Sequence, residues 1–358
     1  MPEVHAARRD RLRSRLADLD APAALLTRLL NVRYLTGFTG SNAALLIGAD
    51  GTDVLATDGR YVTQSAAQVP DLERVIGSRI MSALAVRSGQ RRLAYESHDL
   101  TVDGLAALTE AVPDVEFVSL RESVEALRAV KDAAEIELVR RACAIADRAL
   151  ADLLAAGGIT PGRTELAIAR DLESRMLDLG AEAPSFETIV AGGPHSAIPH
   201  HEPTDRPVQR GDLVKCDFGA TYAGYHSDMT RTLVVGRPAG WQRDIYDVVA
   251  DAQRIGREAL AVGVECAALD TAVRDRIADA GHGEHYLHGL GHGVGLEIHE
   301  APALGPGAPG RLEDRMLVTV EPGIYLEGQG GVRIEDTLVV GSDGPELLTL
   351  TPRDLCIV

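Results

Sequence analysis

The chain has 358 residues, 45% of them hydrophobic and 25% charged, a balance that supports two packed domains. Its formal net charge of −17 excludes the basic surface that a nucleic-acid partner needs and argues against contact with anionic membranes. Aromatic residues make up 4%, so the core falls to Leu, Val, Ala and Ile.

In chain order, the first stretch predicts a helix over about Ala6–Leu19 and an apolar strand at Ala23–Leu26. NVRYLTGFTGSNAALLIG reads as a loop rich in Gly, Thr and Ser before a strand at Ala43–Ile47. TDVLAT predicts another strand and GRYVTQSAAQ the start of a helix. RRLAYE and VEFVSL predict short strands around a helix at Thr101–Ala111. Strands alternating with helices imply a mixed sheet covered by helices. Residues 1–123 therefore form an α/β domain. They carry no cluster of ligands or nucleophiles, so their expected role is structural or substrate-shaping.

From Ser123 the pattern changes. One long amphipathic helix is expected up to Gly157-Gly158. TELAIARDLESRMLDLG predicts a second, with Leu166, Ala169, Leu172 and Met176 on its packing face. DLVKCDFGATYAGYHSDMTRTLVVG reads as a hairpin bent at Tyr222–Gly224. Two further helices, WQRDIYDVVADAQRIGREALA and CAALDTAVRDRIADAG, precede a strand-rich end. A helix–helix–hairpin series followed by a helix–helix–strands series gives residues 124–358 an α+β architecture with a structural, not sequence, duplication. No apolar stretch fits a signal peptide or a membrane span. The cysteines Cys143, Cys216, Cys266 and Cys356 lack CxxC spacing, so reduced thiols and a cytoplasmic location are expected.

Five residues in the last third carry the chemistry: Asp217, Asp228, His292, Glu321 and Glu335, each in a strand or glycine-rich turn. Asp217 and Asp228 stand on the two arms of the hairpin, where like charges are unfavourable unless something positive lies between them. Glu321 ends the apolar run Met316–Val320, and Glu335 lies inside an apolar strand. Buried carboxylates are costly without a partner. Four carboxylates and an imidazole suit a pair of divalent cations, and such a pair is a hydrolytic device. The plainer readings are solvated edge carboxylates for the aspartates and an Arg333–Glu335 ion pair on one strand face. His288, His292 and His299 are separated by glycines, and His200 and His201 form a doublet; neither pattern is a core-packing one. His282 and His285 read as surface residues. There is no GxSxG elbow, no P-loop and no Cys–His pair with a recognisable flank.

SAIPHH, VKCDFGATYAGYHSDMTRT, HGLGHGVGLEIHE, VEPGIY and GVRIEDT resemble, in order and spacing, the pita-bread metallopeptidases, which include methionine aminopeptidase, aminopeptidase P and prolidase. NVRYLTGFTGSNAALLI resembles the N-terminal domain shared by aminopeptidase P, prolidase and creatinase. The resemblance implies two metal ions per subunit, with manganese expected and Co, Zn or Fe possible. Asp217 would bind one metal, Asp228 and Glu335 would bridge both, and His292 and Glu321 would complete the other shell. It further implies that Glu321 shuttles a proton and that His299 stabilises the tetrahedral intermediate. His200 and His288 would line the substrate site, and Arg333 would orient Glu335 or touch the substrate. Creatinase lacks the ligands, which are all in place here.

The expected protein is a cytoplasmic, homodimeric Xaa-Pro aminopeptidase acting on proline-containing peptides. An Xaa-Pro dipeptidase is the alternative, and a non-enzymatic binding protein of the same fold a further one. Two departures bear on specificity. His201 stands where many relatives place glycine, and His195 where they carry a different polar residue.

Overall fold

AALL and AALLIG are apolar at every position, which suits strands buried on both faces. In the computed structural model, which describes residues 2–358, they form Ala23–Leu26 and Ala43–Gly48, both fully buried. The two pair antiparallel at the centre of a six-stranded sheet. Its order is Glu73–Ile76, Asp53–Thr57, Ala43–Gly48, Ala23–Leu26, Arg92–Tyr95, Glu116–Ser119. Ala23–Leu26 runs parallel to Arg92–Tyr95, so the sheet is mixed. Ile80, Leu84 and Leu108 from two helices pack on Leu25, Ala44 and Leu46. This sheet belongs to one compact unit ending at Arg128, and the chain's other unit is Ala129–Val358.

Two expectations about helices need correction. The segment read as a loop before Ala43 contains a helix, Leu29–Thr36, with Asn31, Val32, Tyr34, Leu35 and Thr36 buried. Arg28 at its N-cap makes no capping bond, so packing rather than a start signal specifies it. Gly37 ends it at φ 79°. The stretch read as one long helix is two, Ser123–Ala129 and Ala133–Ala155. The break falls at Asp132, which accepts from the Glu135 N–H at 2.9 Å while Glu135 accepts from the Asp132 N–H at 2.9 Å, a reciprocal cap. The expected domain division at 123/124 is at the start of the first of these helices, and the observed division is near its end. A strand at Glu73–Ile76 and a helix at Ile80–Ser88 had no counterpart in the sequence reading.

The second unit repeats one arrangement, a helix pair on a sheet. Helices Ala133–Ala155 and Glu165–Asp178 share a core with the sheet Ile189–Gly192, Leu213–Phe218, Met229–Val234, Cys356–Ile357. Helices Gly240–Glu258 and Cys266–Asp279 share another with Leu317–Val320, Asp336–Val339 and the hairpin Gly323–Leu326/Gly330–Arg333. Strand periodicity of two then decides what faces away from the helices. On Leu213–Phe218, Val214, Cys216 and Phe218 join the first core, so Lys215 and Asp217 turn to the opposite face. On the C-terminal strands, Val332 and Ile334 join the second core, so Arg333 and Glu335 turn away from it. The two opposite faces meet: Thr230 Oγ1 donates to Glu335 Oε2 at 2.7 Å, and the Glu335 N–H to the Thr230 carbonyl at 3.1 Å.

Candidate metal centre

Register brings the acids together. Asp217 pairs with Thr230 across the antiparallel ladder, and continuing that register sets Asp228 opposite Gly219, on the same face as Asp217. Gly219 is required there, because a Cβ at that position would lie 1.8 Å from the Ser227 carbonyl oxygen. The hairpin turns through Ala223 (φ 49°) and Gly224 (φ 74°). Among the C-terminal strands one ladder ends at Val320↔Asp336 and that of the separate hairpin begins at Gly323↔Arg333. Both follow one register, and it places Glu321 opposite Glu335. Two glutamates facing each other across strands repel unless a cation lies between them.

His292 completes the group from a bulged position on Gly291–Gly293. Its Nδ1 lies 3.0 Å from the Gly293 carbonyl, which makes Nδ1 the protonated nitrogen and leaves the Nε2 lone pair free, the orientation of a metal-binding imidazole. Nε2 lies 3.6 Å from Asp228 Oδ2 and 3.4 Å from Glu321 Oε1. Ligand atoms of Asp228, His292 and Glu335 all fall within 4.8 Å of one another. All five residues border one cavity of about 380 Å³, together with His200, His201 and His299.

The electrostatics call for cations. Burial, then the neighbouring acids, pushes the Asp228 and Glu335 carboxyls well above the usual carboxylate range. Burial takes Glu321 up to about 8. Among the described residues no Lys or Arg pairs with these three. Asp217 gives Oδ2 to Arg333, while its Oδ1 is buried without a hydrogen-bond partner. Three uncompensated acids, an orphaned oxygen and an imidazole lone pair aimed inward fit hard or borderline divalent ions.

Other expected residues are placed differently. Arg333 does not pair with Glu335. It is 1% exposed, is absent from the cavity wall, and binds Asp217, the Tyr325 hydroxyl at 2.8 Å, Thr230 Oγ1 at 3.1 Å and the Pro199 carbonyl at 3.2 Å. It holds Asp217. His288 is also set back, with Nε2 2.8 Å from the Tyr325 hydroxyl and Nδ1 2.8 Å from the Gly289 carbonyl, and it does not border the cavity. His282 and His285 pack on each other, ring centroids 5.5 Å apart. His299 stands edge-on to His292, centroids 4.3 Å apart.

Two supporting residues were not singled out from sequence. Lys215, fully buried, donates to the Ile198 and Pro199 carbonyls at 2.5 and 3.1 Å and so fixes the loop that carries His200. Its place two residues before Asp217, on the same strand face, was the available signal. Tyr325 links His288 to Arg333 and had no such signal.

Residues 137–342 match the model of metallopeptidase family M24, and residues 8–130 match the Creatinase/Prolidase N-terminal domain. The chain belongs to metallopeptidase family M24 and is a metallopeptidase built on an N-terminal creatinase/prolidase domain. Among solved structures it is similar to an Xaa-Pro dipeptidase from Bacillus anthracis, with a TM-score of 0.95 and 39% identity over 99% of this chain and 100% of that one. It is also similar to an X-Pro aminopeptidase from Thermotoga maritima, with a TM-score of 0.90 and 35% identity over 98% and 99%. An Xaa-Pro dipeptidase of Pyrococcus furiosus is 44% identical over 67% of this chain and 68% of its own. No helix among the described residues is long and apolar enough to cross a membrane.

Proposed function

We propose that the chain is an Xaa-Pro dipeptidase, hydrolysing dipeptides whose second residue is proline. This reverses the order expected from sequence, where the aminopeptidase came first. The change is supported by the dipeptidase of Bacillus anthracis, 39% identical over 99% of the chain against 35% over 98% for the aminopeptidase, and by that of Pyrococcus furiosus, 44% identical over two thirds of the chain. The single observation that carries catalysis is the convergence of Asp217, Asp228, His292, Glu321 and Glu335 on one cavity.

Asp217, Asp228, His292, Glu321 and Glu335 would hold two divalent cations, with manganese as the working ion. Bound there, the cations would supply Lewis acidity toward a peptide carbonyl and balance the four carboxylates. The chain's own groups do the rest. Glu321 takes a proton from the attacking water and returns it to the proline nitrogen, its Oε1 steadied by Thr319 Oγ1 at 3.3 Å. His299, beside His292, donates to the oxyanion that forms at the carbonyl. His200, on the loop pinned by Lys215, contacts the peptide. Arg333 keeps Asp217 in its ligating orientation. The protein works as a homodimer in the cytoplasm.

Incubating the pure, manganese-loaded protein with Ala-Pro and with Ala-Pro-Ala tests the reading. Cleavage confined to Ala-Pro supports it. Comparable cleavage of the tripeptide restores the aminopeptidase, and no cleavage of either leaves a binding protein.

A further inference from the structure

The cavity wall contains acids, apolar side chains and imidazoles, but neither lysine nor arginine. Among the side chains of that wall, only the histidines can carry a positive charge to a free carboxylate. With His292 turned to the metal ligands, the candidates are His200, His201 and His299. Neither His200 nor His299 has a hydrogen-bond partner among the described residues. His201 differs: its Nε2 lies 2.9 Å from Glu165 Oε2, and its ring, 8% exposed, borders the cavity. Its Nδ1 has no hydrogen-bond partner among the described residues.

Glu165 is built to serve as a fixed anion. It is wholly buried in the first turn of helix Glu165–Asp178, where a negative charge is favoured. Oε1 accepts from the Gly192 N–H at 2.8 Å and lies 2.9 Å from His195 Nδ1. Oε2 accepts from the Thr204 N–H at 3.1 Å and the Thr204 hydroxyl at 2.7 Å. These bonds fill the oxygens' lone-pair directions, so Glu165 with the two histidines is a poor metal site although the three are close enough to ligate. They suit it instead to holding an imidazole by one nitrogen. His195 packs against His201 with ring centroids 4.3 Å apart and closes the other side.

We infer that His201, held by Glu165, is the specificity-determining residue that receives the free C-terminal carboxylate of the dipeptide. With its Nε2–H committed to Glu165, His201 can donate from Nδ1 to a second carboxylate once a proton is taken up there with the substrate. An imidazolium bridging two carboxylates makes a charge-assisted hydrogen bond to each. Glu165 does not reach the substrate and acts as a positioning residue. The inference rests on the dipeptidase reading, because a longer peptide brings no carboxylate to this place.

The test compares Ala-Pro with Ala-Pro amide, which lacks the carboxylate, on the manganese-loaded wild type and on His201→Ala and Glu165→Gln. Each compound is scored by KM if it is turned over and by its inhibition constant if it is not. Alanine in the first position removes any acidic side chain as an alternative partner. His201→Ala is expected to erode the preference for free acid over amide by about ten- to a hundred-fold, with metal content unchanged. Glu165→Gln should erode it in the same direction. A preference that survives in His201→Ala overturns the inference, as does equal weakening of acid and amide, the signature of a merely structural residue. Because the wild type must first cleave Ala-Pro, failure of the dipeptidase reading is seen separately, before any variant is compared.

Discussion

Replacing Arg333 by methionine removes its charge and its hydrogen bonds while keeping most of its volume. The guanidinium is buried and carries the bond to Asp217 together with those to Tyr325, Thr230 and Pro199. Breaking a buried ion pair from one side costs about 3–5 kcal/mol, mostly because the remaining charge stays buried and unpaired. In the metal-free protein Arg333 is the side chain paired with Asp217; Lys215 faces the same way but is bound to the Ile198 and Pro199 carbonyls, with burial lowering its pKa, and Asp228, Glu321 and Glu335 only add negative potential. The full cost should therefore appear there as a fall in Tm of roughly 6–20 °C, at about 2–4 °C per kcal/mol for a unit of this size. In the manganese-loaded protein, cations take over as the counter-charge and the fall should be less than half as large. Scanning calorimetry of wild type and Arg333→Met, chelator-treated and reloaded, measures both. A metal-free loss below about 1 kcal/mol would refute the idea that Asp217 depends on Arg333. An equal loss in both states would refute the idea that metals share its neutralisation.

Asp228→Ala should remove a metal ligand, so metal content falls below two per chain and hydrolysis disappears; elemental analysis with an Ala-Pro assay checks both. His299→Ala should lower kcat by roughly a hundred-fold or more while metal content stays at the wild-type level, because the residue is assigned no metal bond. For Glu165, burial raises the carboxyl's pKa, but the bonds from Gly192, His201 and Thr204 outweigh it, and the net shift is downward. A folded pKa below the unfolded one gives stability that is complete above the unfolded value, about 4.3, and is lost as pH falls through the folded value. The stability gap between wild type and Glu165→Gln should thus be widest near neutrality and narrow in acid. A gap constant down to acid unfolding would contradict this origin.

The parts of the site legible in the sequence were those governed by strand periodicity and local motif. Alternation in VKCDF already turns Asp217 away from Val214 and Cys216, and the hairpin bend at Tyr222–Gly224 is where Ala223 and Gly224 take up positive φ. Less legible were features decided by distant residues. Arg333 lies two positions from Glu335 but chooses Asp217, 116 residues away, because the two sheet faces meet there. The tie between Glu165 and the His195/His201 pair also spans separate elements, a helix start and a loop. The helix break at Asp132 was a different failure. DAAE is a capping box in plain view, yet the apolar periodicity runs through it unbroken and hides it. Leu29–Thr36 carries no N-terminal side-chain cap and exists because five of its residues are buried.

The central claim is that Asp217, Asp228, His292, Glu321 and Glu335 hold two metal ions. Calorimetric titration of chelator-treated protein with Mn²⁺, with elemental analysis after removal of free ion, tests it most directly. The account predicts two ions per chain in the wild type and fewer than two in Asp228→Ala and Glu335→Gln. Two ions retained in both variants, or none bound by the wild type, would contradict it.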